Sequence, residues 1–140
     1  MFYDDLHDVS FEKMHSATNW QAQYRLITQW GKLIATKPEL HQPNYLLKGC
    51  ETPAWLKHDV INDQHRFLFD SHSRVINGLV AMILAVADNK NSAQLLQLDI
   101  EKSFTAVGLH KHLTPSRNNG LQKIITRIYT LAQIDTNMHP

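Results

Sequence analysis

Two β-leaning runs set back to back in a chain otherwise dominated by helical periodicity predict an α+β fold, a small antiparallel β-sheet with α-helices packed against it. Three observations carry this. Trp55–Ile61 and His65–Phe69 are rich in β-branched and aromatic residues and flank Asn62-Asp63-Gln64, which reads as a hairpin turn. Arg74–Ala87 follows, apolar almost all round through Val75, Ile76, Leu79, Val80, Met82, Ile83, Leu84 and Val86, and belongs in the middle of the protein. Amphipathic stripes of helical period lie on both sides of this central block.

In chain order, Ser10 is placed to cap a short helix carrying Phe11 and Met14. Asn19 is placed to cap a longer one in which Trp20, Tyr24, Ile27 and Ile34 recur at helical spacing. Thr36 to Leu47 contains Pro38 and Pro43 with little periodicity, so it reads as an extended connector delivering Gly49 and Cys50 to a loop. The hairpin then leaves room for a third strand. Ser71 or Ser73 caps the apolar helix, Asn91 or Ser92 opens a short helix through Leu98, and Ile100–Val107 forms another that Gly108 stops. The last helix has Thr114 as N-cap, Pro115 at its first position, and a stripe of Leu121, Ile124, Ile125, Ile128 and Leu131. The first ten residues and Asp135–Pro140 show no periodic apolar face and are expected to fray.

Composition narrows function. With 140 residues, 43% of them hydrophobic, the chain suits one domain, its ordered core at about 10–134. Fourteen basic and 13 acidic side chains give a formal charge of +1, without the concentrated positive field that nucleic acid binding requires. The opening MFYDDLHDVSF lacks the basic start and apolar run of a secretory signal, and no later segment stays apolar long enough to span a bilayer. A cytoplasmic protein that binds neither nucleic acid nor membrane is expected. One cysteine, Cys50, excludes an internal disulfide, a CxxC redox pair and a cysteine-rich metal knuckle. Any sulfur chemistry must use one thiol and a second molecule. His110 and His112 form an H-x-H pair without further ligands at zinc-like spacing, so no metal is expected, and the remaining histidines read as surface residues.

Composition alone makes Cys50 a small buried hydrophobe. Three segments in order alter that reading: Lys48-Gly49-Cys50-Glu51-Thr52-Pro53-Ala54-Trp55-Leu56, Asp70-Ser71-His72-Ser73-Arg74-Val75-Ile76-Asn77-Gly78-Leu79, and Leu113-Thr114-Pro115-Ser116-Arg117-Asn118-Asn119-Gly120-Leu121. They resemble, over about Asn19 to Ala132, the SufE-like sulfur acceptors: a cysteine loop entering a strand, a strand-to-helix stretch, and the opening of the final helix. Gly-Cys-Glu and Trp-Leu lean toward the CsdE branch. Pro53-Ala54, His72 and Asn77 depart from residues common in the family, so loop opening and the charge-based contacts around the second segment are expected to differ.

The resemblance implies a single SufE-like domain over 1–140 with the fold of the IscU scaffold, and Cys50 as the acceptor of a sulfane sulfur. It implies a cysteine desulfurase as donor and activation target, with pyridoxal phosphate in that partner and no cofactor in this chain. A downstream recipient such as an iron–sulfur scaffold would take the sulfur, and the protein would be a monomer or weak dimer with no stand-alone activity. Gly49, Glu51, Trp55, Asp70, His72 and Arg117 are the supporting candidates, Arg117 as the basic group near the thiol, Trp55 as strand packing, and Asp70 with Ser71 as a helix cap. The alternatives are an IscU-like scaffold, which needs more cysteines, and a cysteine-dependent hydrolase, which needs a histidine base.

Overall fold

The computed structural model describes residue 3 and residues 5–34 and 36–133. Its elements are α1 (Phe11–Ser16), α2 (Trp20–Gly31), β1 (Ala54–Ile61), β2 (Gln64–Ser71), α3 (Arg74–Ala87), α4 (Ser92–Leu96), α5 (Ile100–Ala106) and α6 (Pro115–Ala132), with single 3-10 turns at Pro38–Leu40 and Leu109–Lys111. Among the described residues the sheet is the single antiparallel pair β1 and β2, running from Ala54 opposite Ser71 to Ile61 opposite Gln64. The hairpin turn is the two-residue Asn62-Asp63, both at positive φ, which is the backbone that matches the strands' twist, and Gln64 already belongs to β2. In place of a third strand there are isolated bridges, Leu46 with Trp55 and His65 with Lys90.

The caps follow the sequence closely. Ser10, Asn19, Ser73, Asn91 and Thr114 each accept a backbone N–H of the first turn, and Asn91 with Gln94 closes a capping box. Asp99, which no periodicity marks, caps α5, and Gly108 ends that segment with its φ of 75°. Two helices are shorter than their apolar pattern: α2 stops at Gly31 although Ile34 remains buried, and α4 stops at Leu96.

Helix α3 is the centre, buried from Val75 to Leu84 without interruption. It lies unusually close to α2. A methyl group on Gly78 would stand 2.0 Å from the carbonyl oxygen of Ile27, and one on Gly31 would stand 2.5 Å from that of Arg74. Both glycines are therefore required by backbone-to-backbone approach. Phe67 and Phe69 of β2, Met14, Ile27, Leu95, Ile100, Leu109 and the α6 stripe pack into the same apolar cluster.

Two expectations are corrected. The segment before α1 is held down: Leu6 and Val9 are buried, and the Tyr3 hydroxyl donates to the Phe69 carbonyl at 2.7 Å and accepts from the Phe69 N–H. Nor are all the other histidines on the surface. His65 is fully buried, on the strand face it shares with Phe67 and Phe69, and its ring lies 2.7 Å from His58 and 2.8 Å from the Ser92 hydroxyl. The tail from Asp135 to Pro140 lies outside the described residues. No helix among those residues is long and apolar enough to cross a membrane.

Candidate functional site

The loop that carries Cys50 is fixed at its base by backbone pairing. The connector ends by pairing with β1: Leu47 N–H donates to the Ala54 carbonyl at 2.9 Å, and Leu56 N–H donates to the Tyr45 carbonyl at the same distance. Residues 48–53 are thus extruded between two pinned points. On the far side His72 N–H donates to the Pro53 carbonyl at 3.3 Å, fastening the loop's exit to the end of β2. Gly49, at φ +83°, turns the chain so that Cys50 faces α6.

Cys50 is half-buried and stands between two spaces. Inward is a cavity of about 80 Å³ lined by Cys50, Glu51, Thr52, Ala54, Ser71, Ser73, Ile76, Ser116, Arg117, Gly120 and Ile124. Outward, Gly49, Cys50, Glu51, Ser116 and Asn119 border a wider recess of about 410 Å³. The inner walls come from the hairpin end, the first turn of α3 and the opening of α6, so four separate parts of the chain meet at one thiol. Burial pushes the Cys50 thiol above its ordinary pKa, and the positive charge of Lys123 pulls it back in part.

The rim is latched. Ser116 Oγ donates to the Glu51 carboxylate, joining the loop to the first turn of α6, where a negative group is also favoured by the free N–H groups of the helix. Inside, Ser71 Oγ donates to Asn77 Oδ1 at 2.7 Å and accepts from Ser73 N–H, so the hydroxyls beside the cavity are already held in place.

Of the residues singled out from sequence, Cys50, Glu51 and Arg117 line the inner cavity and Gly49 the outer recess. Trp55, Asp70 and His72 are not in either lining. They form a cluster on the opposite face of the hairpin with His41, whose ring stacks on Trp55 at a centroid distance of 3.8 Å and lies 2.7 Å from the Asp70 carboxylate. The reason is strand alternation: Ala54 and Ser71 face the cavity, so their neighbours Trp55 and Asp70 point away. Asp70 does not cap α3 either. It is buried and accepts from His41 and from Lys37 N–H, while Ser73 is the cap. His110 and His112 are apart from the thiol's lining as well, His112 stacking on Trp20. Among the described residues no group of three histidine, cysteine or acidic side chains is arranged to hold a metal.

Sequence reasoning missed Ser116, Gly120, Lys123 and Ile124. Their spacing along α6 is the signal that was available, since residues three and four apart share one helix face and continue the one that Arg117 begins.

Comparison with known proteins places this geometry. The family model for SufE, the Fe-S metabolism associated domain, matches residues 8–132. An uncharacterized SufE-like protein of Rhizobium meliloti (strain 1021) is 29% identical over 119 residues, covering 81% of this chain and 85% of that protein. In fold, the solution structure of a hypothetical protein from Thermus thermophilus superposes with a TM-score of 0.71 at 15% identity, over 95% of this chain and 96% of the other. With a cysteine loop set over a small cavity and a family match across most of its length, the chain belongs to the SufE family of proteins associated with sulfur and iron–sulfur metabolism.

Proposed function

We propose that this protein is a sulfur acceptor and carrier, taking a sulfane sulfur as a persulfide on Cys50 from a cysteine desulfurase and passing it on for iron–sulfur cluster assembly or a related pathway. The observation that carries the reading is the position of Cys50, at the tip of a loop pinned at both ends and set between a small cavity and a wider recess. The Cys50 thiolate attacks the outer sulfur of the donor's persulfide. A new S–S bond forms at Cys50, the donor's S–S bond breaks, and the donor thiolate leaves with the electron pair, so no oxidant or reductant is consumed. The donor is then ready for another turnover, which is how a pure acceptor stimulates an enzyme it does not replace.

The inner cavity, which is the smaller and less open of the two, suits storage, and the outer recess suits exchange. Movement between the two requires release of the Glu51 latch from Ser116. Pyridoxal phosphate belongs to the donor, and this chain, a single cytoplasmic SufE-like domain, works without a cofactor as a monomer or weak dimer. A cluster scaffold is disfavoured by the lone cysteine, and a cysteine hydrolase by the cavity lining, which among the described residues contains no histidine to act as base.

The test is desulfurase turnover, read as alanine released from cysteine, with and without this protein. Stimulation several-fold by the wild-type chain and none by Cys50→Ser is expected. Equal stimulation by the two proteins would remove the thiol from the mechanism and the proposal with it.

A further inference from the structure

We propose that Lys123 is a positioning residue for the chemistry of Cys50: its stem seats the Gly49 turn, and its ammonium supplies the counter-charge for the thiolate and for the persulfide anion that follows. The persulfide half of this rests on the acceptor reading above, whereas the thiolate half stands without it.

The geometry is specific. A methyl group built on Gly49 would lie 2.7 Å from Lys123 Cε, 2.9 Å from Nζ and 3.2 Å from Cδ, so the distal half of the lysine runs along the glycine's open face. Glycine is needed at that point twice over, for its left-handed backbone and for the lysine that occupies the space of a side chain. The ammonium is thereby delivered to the residue preceding the thiol. It also shares a groove of about 410 Å³ with Lys48 and Arg127, whose lining among the described residues includes no acidic side chain. Among the described residues none of these three cations takes part in a salt bridge, so the charge of Lys123 is not neutralised by a neighbouring carboxylate.

The ionisable groups around Cys50 are few. Its own loop brings Lys48 and Glu51, the latter turned to Ser116, and α6 brings Arg117 and Lys123. The hairpin and α3 contribute Ala54, Ser71, Ser73 and Ile76, none of them ionisable in the working range. Although Arg117 shares the cavity with the thiol, the charge that opposes the burial of Cys50 is that of Lys123, and it does so in part. A thiol pushed toward its neutral form by burial is a poor nucleophile, and a cation held at its shoulder raises the thiolate fraction above what burial alone would leave.

The experiment is the rate of Cys50 alkylation by iodoacetamide across the thiol titration range, in the full-length protein carrying Lys123→Met or Lys123→Arg. Methionine keeps a flexible stem and removes the charge, and arginine keeps the charge. For Lys123→Met the midpoint should rise and the neutral-pH rate fall about three- to ten-fold, because the cation that favours the thiolate is gone. Lys123→Arg should follow the wild type, and added salt should move the wild type toward the methionine variant. A profile for Lys123→Met that superimposes on the wild type, or an arginine variant that behaves like methionine, would overturn the proposal. Lys123 is exposed, so folding is not at risk, and Lys123→Gln gives the same comparison in a second background. Because iodoacetamide needs no partner, failure of a desulfurase to load wild-type Cys50 would defeat the acceptor reading while leaving this result intact.

Discussion

At the scale of single residues, the division between the two faces of the hairpin assigns roles. Ala54 and Ser71 look inward to the thiol's cavity, while Trp55 and Asp70, one position away on each strand, build a stacked cluster with His41 and His72. Asp70 is therefore a structural carboxylate that orders the connector, through Lys37 N–H and His41, and it reaches Cys50 only through the backbone. Replacement by alanine leaves those donors without their acceptor. Asp70→Ala should lower stability by about 1–3 kcal/mol in thermal or urea unfolding, yet leave the alkylation profile of Cys50 unchanged at temperatures where the variant is folded. A profile altered as strongly as in a Lys123 variant would place Asp70 in the thiol's own environment instead. The sequence marks Asp70, Ser71 and His72 as neighbours of interest but not which way each points. A one-residue difference in register exchanges the faces, and register is settled by pairing across the hairpin rather than by local composition.

At the scale of elements, α6 is the part that the thiol's surroundings depend on most. Its start was legible, because Thr114 and Pro115 are strong opening signals and the Leu121, Ile124, Ile125, Ile128 stripe fixes its buried side. Its functional face was less so: Ser116 and Gly120 lie in the segment that opens the helix and share a face with Lys123 by spacing, but nothing local shows that this face meets the cysteine loop. Gly120 is informative here. A methyl group at that position would meet nothing within 4 Å, so the glycine is not demanded by packing, and it borders the cavity beneath Cys50. Gly120→Ala should raise stability by up to about 1 kcal/mol through helix propensity alone. The same methyl group narrows the cavity, so a persulfide on Cys50 should be lost to added thiol faster than in the wild type. Slower loss, or none of the expected stabilisation, would show that the glycine serves something other than room for the sulfur. The opposite case is Gly78, where contact with α2 is the whole reason, and that too could not be read from the chain because it depends on which helix crosses there.

At the scale of the whole molecule, the architecture is an apolar body with one short segment, residues 48–53, set against it. Helix α3 and the phenylalanines of β2 form the centre, the first described residues are tied to β2 through Tyr3, and the hairpin is closed at both ends by bridges to its flanks. Helical periodicity and the hairpin signal were enough to anticipate this layout, because each reflects burial on one face and survives without knowledge of partners. The bridges were not foreseeable, since they join segments with little pattern of their own. Against that body residues 48–53 are held by three backbone hydrogen bonds at their margins, by the Glu51 latch and by contact with Lys123, which restricts the loop without locking the sulfur inside. The proposed function requires that Cys50 receive and hold a second sulfur atom. The intact mass of the protein, taken without reductant after incubation with a cysteine desulfurase and cysteine, reads that event without any intermediary. One added sulfur atom, removed by reductant and absent in Cys50→Ser, is expected, whereas an unchanged mass with an active desulfurase, or an adduct that persists in Cys50→Ser, would contradict it.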